Sequence, residues 1–146
     1  MLSPPPRNAV GQVTPHDHPE ILSDDGIIRR ISSQFIVLDR DGQRCISTMA
    51  FQPSSAALGG GLSVDLQREI EEAGRDAIQF VTTPSWIGSV RFTARQLRKE
   101  DFMVGYDPLP PGNPFHGEVW GHFSTGKKKQ LRRIAQWFVL IPEVSL

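Results

Sequence analysis

The sequence predicts an α+β fold: a mainly antiparallel sheet of about five or six strands, with two main helices and one short helix packed on it. Three observations lead there. Short runs of β-branched and aromatic residues recur along the chain, one of them (Phe115 to Phe123) alternates strictly, and two longer stretches repeat apolar residues at helical spacing. At 146 residues, 38% apolar and 22% charged, the chain has the size and composition of one globular domain.

Residues 1–23 hold 5 of the 12 prolines and almost no periodic apolar pattern, so they read as a proline-rich N-terminal arm, either mobile or draped over the domain or a neighbour. Residues 24–146 form the single α+β domain. Ile27 to Ile31 and Gln34 to Leu38 are strand-like. Asp39-Arg40-Asp41-Gly42 is a turn signal, and Arg44 to Phe51 reads as the returning strand. Gly59-Gly60-Gly61 is expected to be a hinge. It lacks the Gly-Lys-Ser/Thr ending of a phosphate loop.

Ser63 is placed to cap a helix carrying Leu66, Ile70 and Ala73, with Glu69, Glu71 and Glu72 toward water. Periodicity leaves Ile78 to Val81 open between helix and strand. Trp86 to Phe92 reads as a strand, and Thr93-Ala94-Arg95-Gln96 as a capping box that starts a short helix through Glu100. Phe102 to Tyr106 is extended, and Asp107 to Pro114, with four prolines, is a stiff loop. The last helix is expected over about Lys127 to Leu140, with Leu131, Ile134, Ala135 and Phe138 on one face.

Composition narrows the function classes. Basic and acidic side chains number 16 each, so no global field draws the chain to nucleic acid or membrane, and strong nucleic-acid binding is not expected. The balance is uneven, with 7 basic and 11 acidic residues in 1–83 against 9 and 5 in 84–146. Such a dipolar chain can pair internally or present charge to a partner. Cys45 is the only cysteine, which excludes an intrachain disulfide. No apolar run approaches the ~20 residues of a membrane helix, and the first residues lack the apolar core of a signal peptide. A cytoplasmic location is expected.

The candidate chemistry lies on the alternating strand. Period-two geometry puts His116, Glu118, Trp120 and His122 on one face and Phe115, Gly117, Val119, Gly121 and Phe123 on the other. Two imidazoles beside a carboxylate suit acid–base work near neutral pH. His-x-Glu also occurs in zinc deaminases, but those sites need a Cys-x-x-Cys pair that this chain lacks. No metal site is expected, because a third well-spaced ligand is missing. Cys45 and Ser47 share a face of an earlier strand. A Cys45–His116 pair is possible there, although a cysteine more often acts as a small buried hydrophobe.

At a coarse level, Arg29 or Arg30 on an early strand, Ser47-Thr48 on a later one and Glu118 downstream look similar to the arginine–serine–glutamate pattern of some ADP-ribosyltransferases. The resemblance implies transfer chemistry at NAD, as an analogy of pattern alone.

Lys127, Lys128, Lys129, Arg132 and Arg133 put five cations at a helix start, where they oppose the helix dipole unless an acidic surface or an anion lies nearby. With Trp120, they are the candidate binding surface. The function expected first is therefore a small cytoplasmic binding or accessory module acting through a protein partner or self-assembly. The competing class is an enzyme, hydrolase- or transferase-like, centred on His116, Glu118 and His122 and assisted by Arg29, Arg30 or Ser47. No particular cofactor is implied.

Overall fold

A computed structural model of the chain describes residues 2–54 and 60–146. The described residues form β1 (Gly26–Ile31), β2 (Ile36–Leu38), β3 (Arg44–Ile46), β4 (Leu62–Leu66), α1 (Gln67–Glu72), α2 (Ala77–Val81), β5 (Gly88–Thr93), α3 (Ala94–Lys99), β6 (Met103–Tyr106), β7 (His116–Trp120), α4 (Thr125–Ile134) and β8 (Gln136–Val139). Six strands make one antiparallel sheet in the order β6-β7-β4-β1-β5-β8, and β2 and β3 pair separately. The fold is α+β, as the sequence predicts. Its helices are shorter than expected, and α4 alone among the described elements exceeds two turns.

Local chemistry explains several elements. The Asp39 carboxylate accepts from the N–H groups of Asp41 and Gln43, closing the β2–β3 turn. Thr93 caps α3 with the reciprocal Gln96 contact of a capping box. Ser124 caps α4 by accepting from Lys127 N–H.

Four expected elements are corrected. Leu62–Leu66 is a strand, and the helix expected from Ser63 begins at Gln67. Leu62, Val64 and Leu66 alternate into the main core, and burial of that face outweighs the helical spacing of Leu66 and Ile70. The strand expected over Arg44 to Phe51 stops at Ile46, because Ser47 Oγ accepts from Met49 N–H and starts a 3-10 turn, Thr48–Phe51.

The last helix stops at Ile134, and Gln136–Val139 returns as the edge strand β8 beside β5. There Trp137 packs against the main core and Phe138 against the opposite cluster. Adjacent residues reach opposite sides of a sheet only from a strand. The strand expected over 115–123 is confined to His116–Trp120. Of the expected glycine hinge, Gly59 lies outside the described residues. Ile78 to Val81, left open by periodicity, is helical.

The two sheet faces are covered unequally. Ile27, Ile31, Val64, Val90, Phe92, Val104 and Val119 face a large core completed by Phe51, Leu97 and Leu131. On the other face Ile28 packs with Ile70, Ala77 and Val81 from α1 and α2. That smaller cluster leaves the polar side chains of β1, β4 and β7 outside it.

Residues before β1 follow the β6 edge. His18 N–H donates to Val104 O (2.9 Å), Val104 N–H to Asp17 Oδ1 (2.9 Å) and Tyr106 N–H to His16 Nε2 (3.0 Å). These bonds use edge groups that would otherwise be free to pair with another strand. Leu2 and Ile21 join the main core. Among the described residues, no helix is long and apolar enough to cross a membrane.

Candidate acid–base site

The register of β7 places the polar residues. His116 lies opposite Asp65, and Glu118 lies between Ser63 of β4 and Gly105 of β6. The Asp107 to Pro114 loop closes over this row. Leu109 and Asn113 exchange backbone hydrogen bonds, Asn113 Oδ1 accepts from Phe115 N–H, and Asn113 Nδ2 donates to Asp65 Oδ1 at 2.8 Å. Asp65, 3% exposed, also takes a two-pronged ion pair from Arg30: Nε to Oδ2 at 2.8 Å and Nη2 to Oδ1 at 3.0 Å. This fork suits a guanidinium and gives a strong charge-assisted contact.

His116 is buried, with Nδ1 donating to Asp107 O at 2.8 Å and Asp107 Oδ2 3.3 Å from the same nitrogen. That assignment of the ring proton leaves Nε2 without a hydrogen-bond partner among the described residues. Burial pulls the His116 pKa down, but hydrogen bonding to Asp107 and the charges of Asp107 and Glu118 outweigh it and raise the pKa above the ordinary value.

Glu118 is half-buried, and its Oε2 is buried with no hydrogen-bond partner among the described residues. Burial raises its pKa; the His116 charge, the Gly61 backbone and the Arg29 charge oppose this, the Asp107 charge adds to it, and the net shift is upward. Gly61 is fitted to this carboxylate, since a Cβ there would lie 2.6 Å from both Glu118 Oε2 and Val119 O. Each of Asp107, His116 and Glu118 offers a metal-ligating atom, all within 4.8 Å of one another. Asp107 is thus the third donor that the sequence did not reveal. The Nδ1 proton, however, is committed to Asp107, whose carboxylate lies on that side of the ring. His116 is thus hydrogen-bonded to Asp107, while Glu118 lies beside the pair without a hydrogen bond to either, its Oε2 covered by Gly61.

The other expected site residues are dispersed. His122 is exposed beyond the end of β7 and does not join His116 and Glu118. A Cβ on Gly121 would sit 2.5 Å from Phe102 Cδ1, so the chain there lies against Phe102 rather than continuing the ladder. Trp120 is 6% exposed, packed against the His16 ring at 5.2 Å, and is therefore not a free binding surface. Ser47 caps the turn containing Ala50 and Phe51, which pack in the main core on the far side of the sheet from Glu118. Cys45 pairs with Val37 in the separate hairpin, away from His116.

Arg29 points to the main-core side, where Nε donates to Ala50 O (2.8 Å) and Nη1 to Ser63 O (3.1 Å). Burial pushes its pKa down to about 10, against the charges of Asp65 and Glu118. The basic stretch of α4 is largely engaged within the chain. Lys127 Nζ donates to Glu100 O, Lys128 Nζ to Gln52 Oε1, Arg132 Nη1 to Ile46 O, and Arg133 Nη1 to Gln130 Oε1, while Lys129 is exposed.

Asp65, Asn113, Asp107 and Trp86 belong to the site without having been singled out in the sequence. Asp65 carries the clearest signal, a charge within the apolar run Leu62-Ser63-Val64-Asp65-Leu66. Comparison of the chain with family models, curated proteins and solved structures found no match.

Proposed function

We propose that the protein is an acid–base enzyme in which Glu118 accepts a proton and His116 donates one, with Asp107 holding the imidazole in place. The supporting observation is the grouping of a buried imidazole, His116, with two half-buried carboxylates, Asp107 and Glu118. No side chain among the described residues hydrogen-bonds Glu118 Oε2 or His116 Nε2. A raised carboxyl pKa makes Glu118 a stronger base, and a raised imidazole pKa keeps His116 protonated to higher pH. In one turnover Glu118 takes a proton from water or a hydroxyl nucleophile, and His116 passes one through Nε2 to the departing oxygen. One proton enters the pair and one leaves, and exchange with solvent restores both. The two groups interact, so the midpoints of a bell-shaped pH profile belong to the pair.

The test uses 4-nitrophenyl carboxylic and phosphoric esters with wild-type, His116→Ala and Glu118→Gln protein, with and without chelator. The expected result is turnover that falls about 10²–10⁴-fold in either variant and is indifferent to chelator. Turnover kept by both folded variants refutes the assignment. NMR titration provides an independent check: His116 should titrate above free histidine, and lower in Asp107→Asn. A midpoint at or below that of free histidine contradicts the proposed holding role of Asp107.

A further inference from the structure

The ladder between β1 and β4 covers only Ile27–Leu66 and Ile28–Asp65. Beyond these pairs β1 continues to Ile31 against β5, and β4 extends back to Leu62 against β7, so the two central strands part. The Arg29 guanidinium bridges the opening, because its Nη1 bonds Ser63 O. A cleft of about 200 Å³ occupies the gap, lined by Arg29, Arg30, Ser63, Asp65, Trp86 and His116 among others.

The polar groups of this cleft are unbalanced. Among the described residues that line it, Asp65 is the only carboxylate, and both oxygens are occupied by Arg30 and Asn113. Asn113 Oδ1 is taken by Phe115 N–H, and Ser63 O by Arg29. Nη1 of Arg30 and Nη2 of Arg29 are donors with no hydrogen-bond partner among the described residues, and His116 Nε2, also without one, becomes a donor when the ring is protonated. The lining itself thus carries two guanidiniums to one carboxylate, with the Glu118 charge acting on Arg29 from outside it. Trp86 adds a half-buried indole to the wall, a flat apolar surface with a single donor.

We propose that this cleft receives the oxyanion of the substrate, a phosphate or a carboxylate, with the adjoining ring or apolar body lying on Trp86. Guanidinium forks suit such oxygens in geometry and charge. The space is smaller than a drug-sized pocket, so it suits an anionic head and one ring rather than an extended ligand. This inference rests on the acid–base reading: the anion would anchor the substrate beside His116 and Glu118.

The experiment is calorimetric titration of the full chain with phenyl phosphate, benzoate and benzyl alcohol. One of the two anions should bind at millimolar concentration or below, while the neutral alcohol should not. Which anion binds separates phosphate from carboxylate. Binding should weaken about tenfold or more in Trp86→Ala and in the double variant Arg30→Gln/Asp65→Asn. The double variant leaves no unpaired buried charge to unfold the sheet. Added salt should weaken binding as well. The inference is overturned if neither anion binds, if benzyl alcohol binds equally, or if both variants retain full affinity. The same titration on Glu118→Gln separates the two proposals. Retained anion binding together with unchanged ester turnover sinks the proton-transfer role alone, and absent binding in wild-type protein sinks the anion cleft.

Discussion

Replacing Asp65 with Asn removes one charge from the network that joins β1, β4 and the loop before His116. The Asp65 side chain is 5% exposed and that of Arg30 21%. Asp65 accepts three hydrogen bonds, of 2.8, 3.0 and 2.8 Å. An Asn keeps one acceptor oxygen and sets its NH₂ group against a donor. Breaking a buried ion pair from one side costs about 3–5 kcal/mol. Because Arg30 retains some contact with water, the lower end applies, about 3 kcal/mol. With a urea dependence of about 2 kcal/mol per molar, the unfolding midpoint should fall by about 1.5 M.

Asp24→Asn is the control. Its pair with Arg95 is similarly short at 3.1 Å, but the side chains are 84% and 68% exposed, and such pairs contribute under about 1 kcal/mol. Urea unfolding followed by circular dichroism gives both midpoints. Equal shifts for the two variants would refute the view that burial makes the Asp65 network costly to break. The apolar pair Arg30→Met/Asp65→Leu should recover much of the loss, because it leaves no unpaired charge.

Three further outcomes are expected. Folded Glu118 holds its proton to higher pH than the ordinary value of 4.5, so its ionisation costs stability above the folded midpoint and nothing well below 4.5. Glu118→Gln should therefore be the more stable protein at about pH 8 and equal to wild type near pH 4, as measured by urea unfolding at each pH. Thr93→Ala removes the cap and capping box of α3 and should cost about 1 kcal/mol, read as a shift in thermal midpoint. A Cβ at residue 105 would lie 2.3 Å from Trp120 Cζ3 and 2.7 Å from His16 O. Gly105→Ala should thus displace residues 14–18 from the β6 edge, seen as faster amide exchange at Val104 and Tyr106, whose N–H groups they accept.

The core of the candidate site is visible in the sequence because β7 alternates. The same period of two that buries Val119 puts His116 and Glu118 on one face, and no distant contact is needed to see it. His122 breaks the pattern for a reason that lies outside the strand, since Gly121 lies against Phe102 of another segment. The groups gathered around His116 and Glu118 are equally remote from local pattern. Asp107 meets His116 only because a loop folds back, and Asp65 meets Arg30 and Asn113 only after three separate segments converge.

The sequence by itself determined the α+β class, the β2–β3 turn, the cap of α3 and the shared face of His116 and Glu118. Each follows from side-chain periodicity or from hydrogen bonds between residues a few positions apart, which act the same way wherever the segment lies. The tertiary structure decided that Leu62–Leu66 and Gln136–Val139 are strands, because both offer apolar residues that only a sheet between two cores can bury. It also decided where β1 and β4 part and which charges line the gap. Those outcomes depend on burial and electrostatics between residues tens of positions apart, and local pattern carries no record of either.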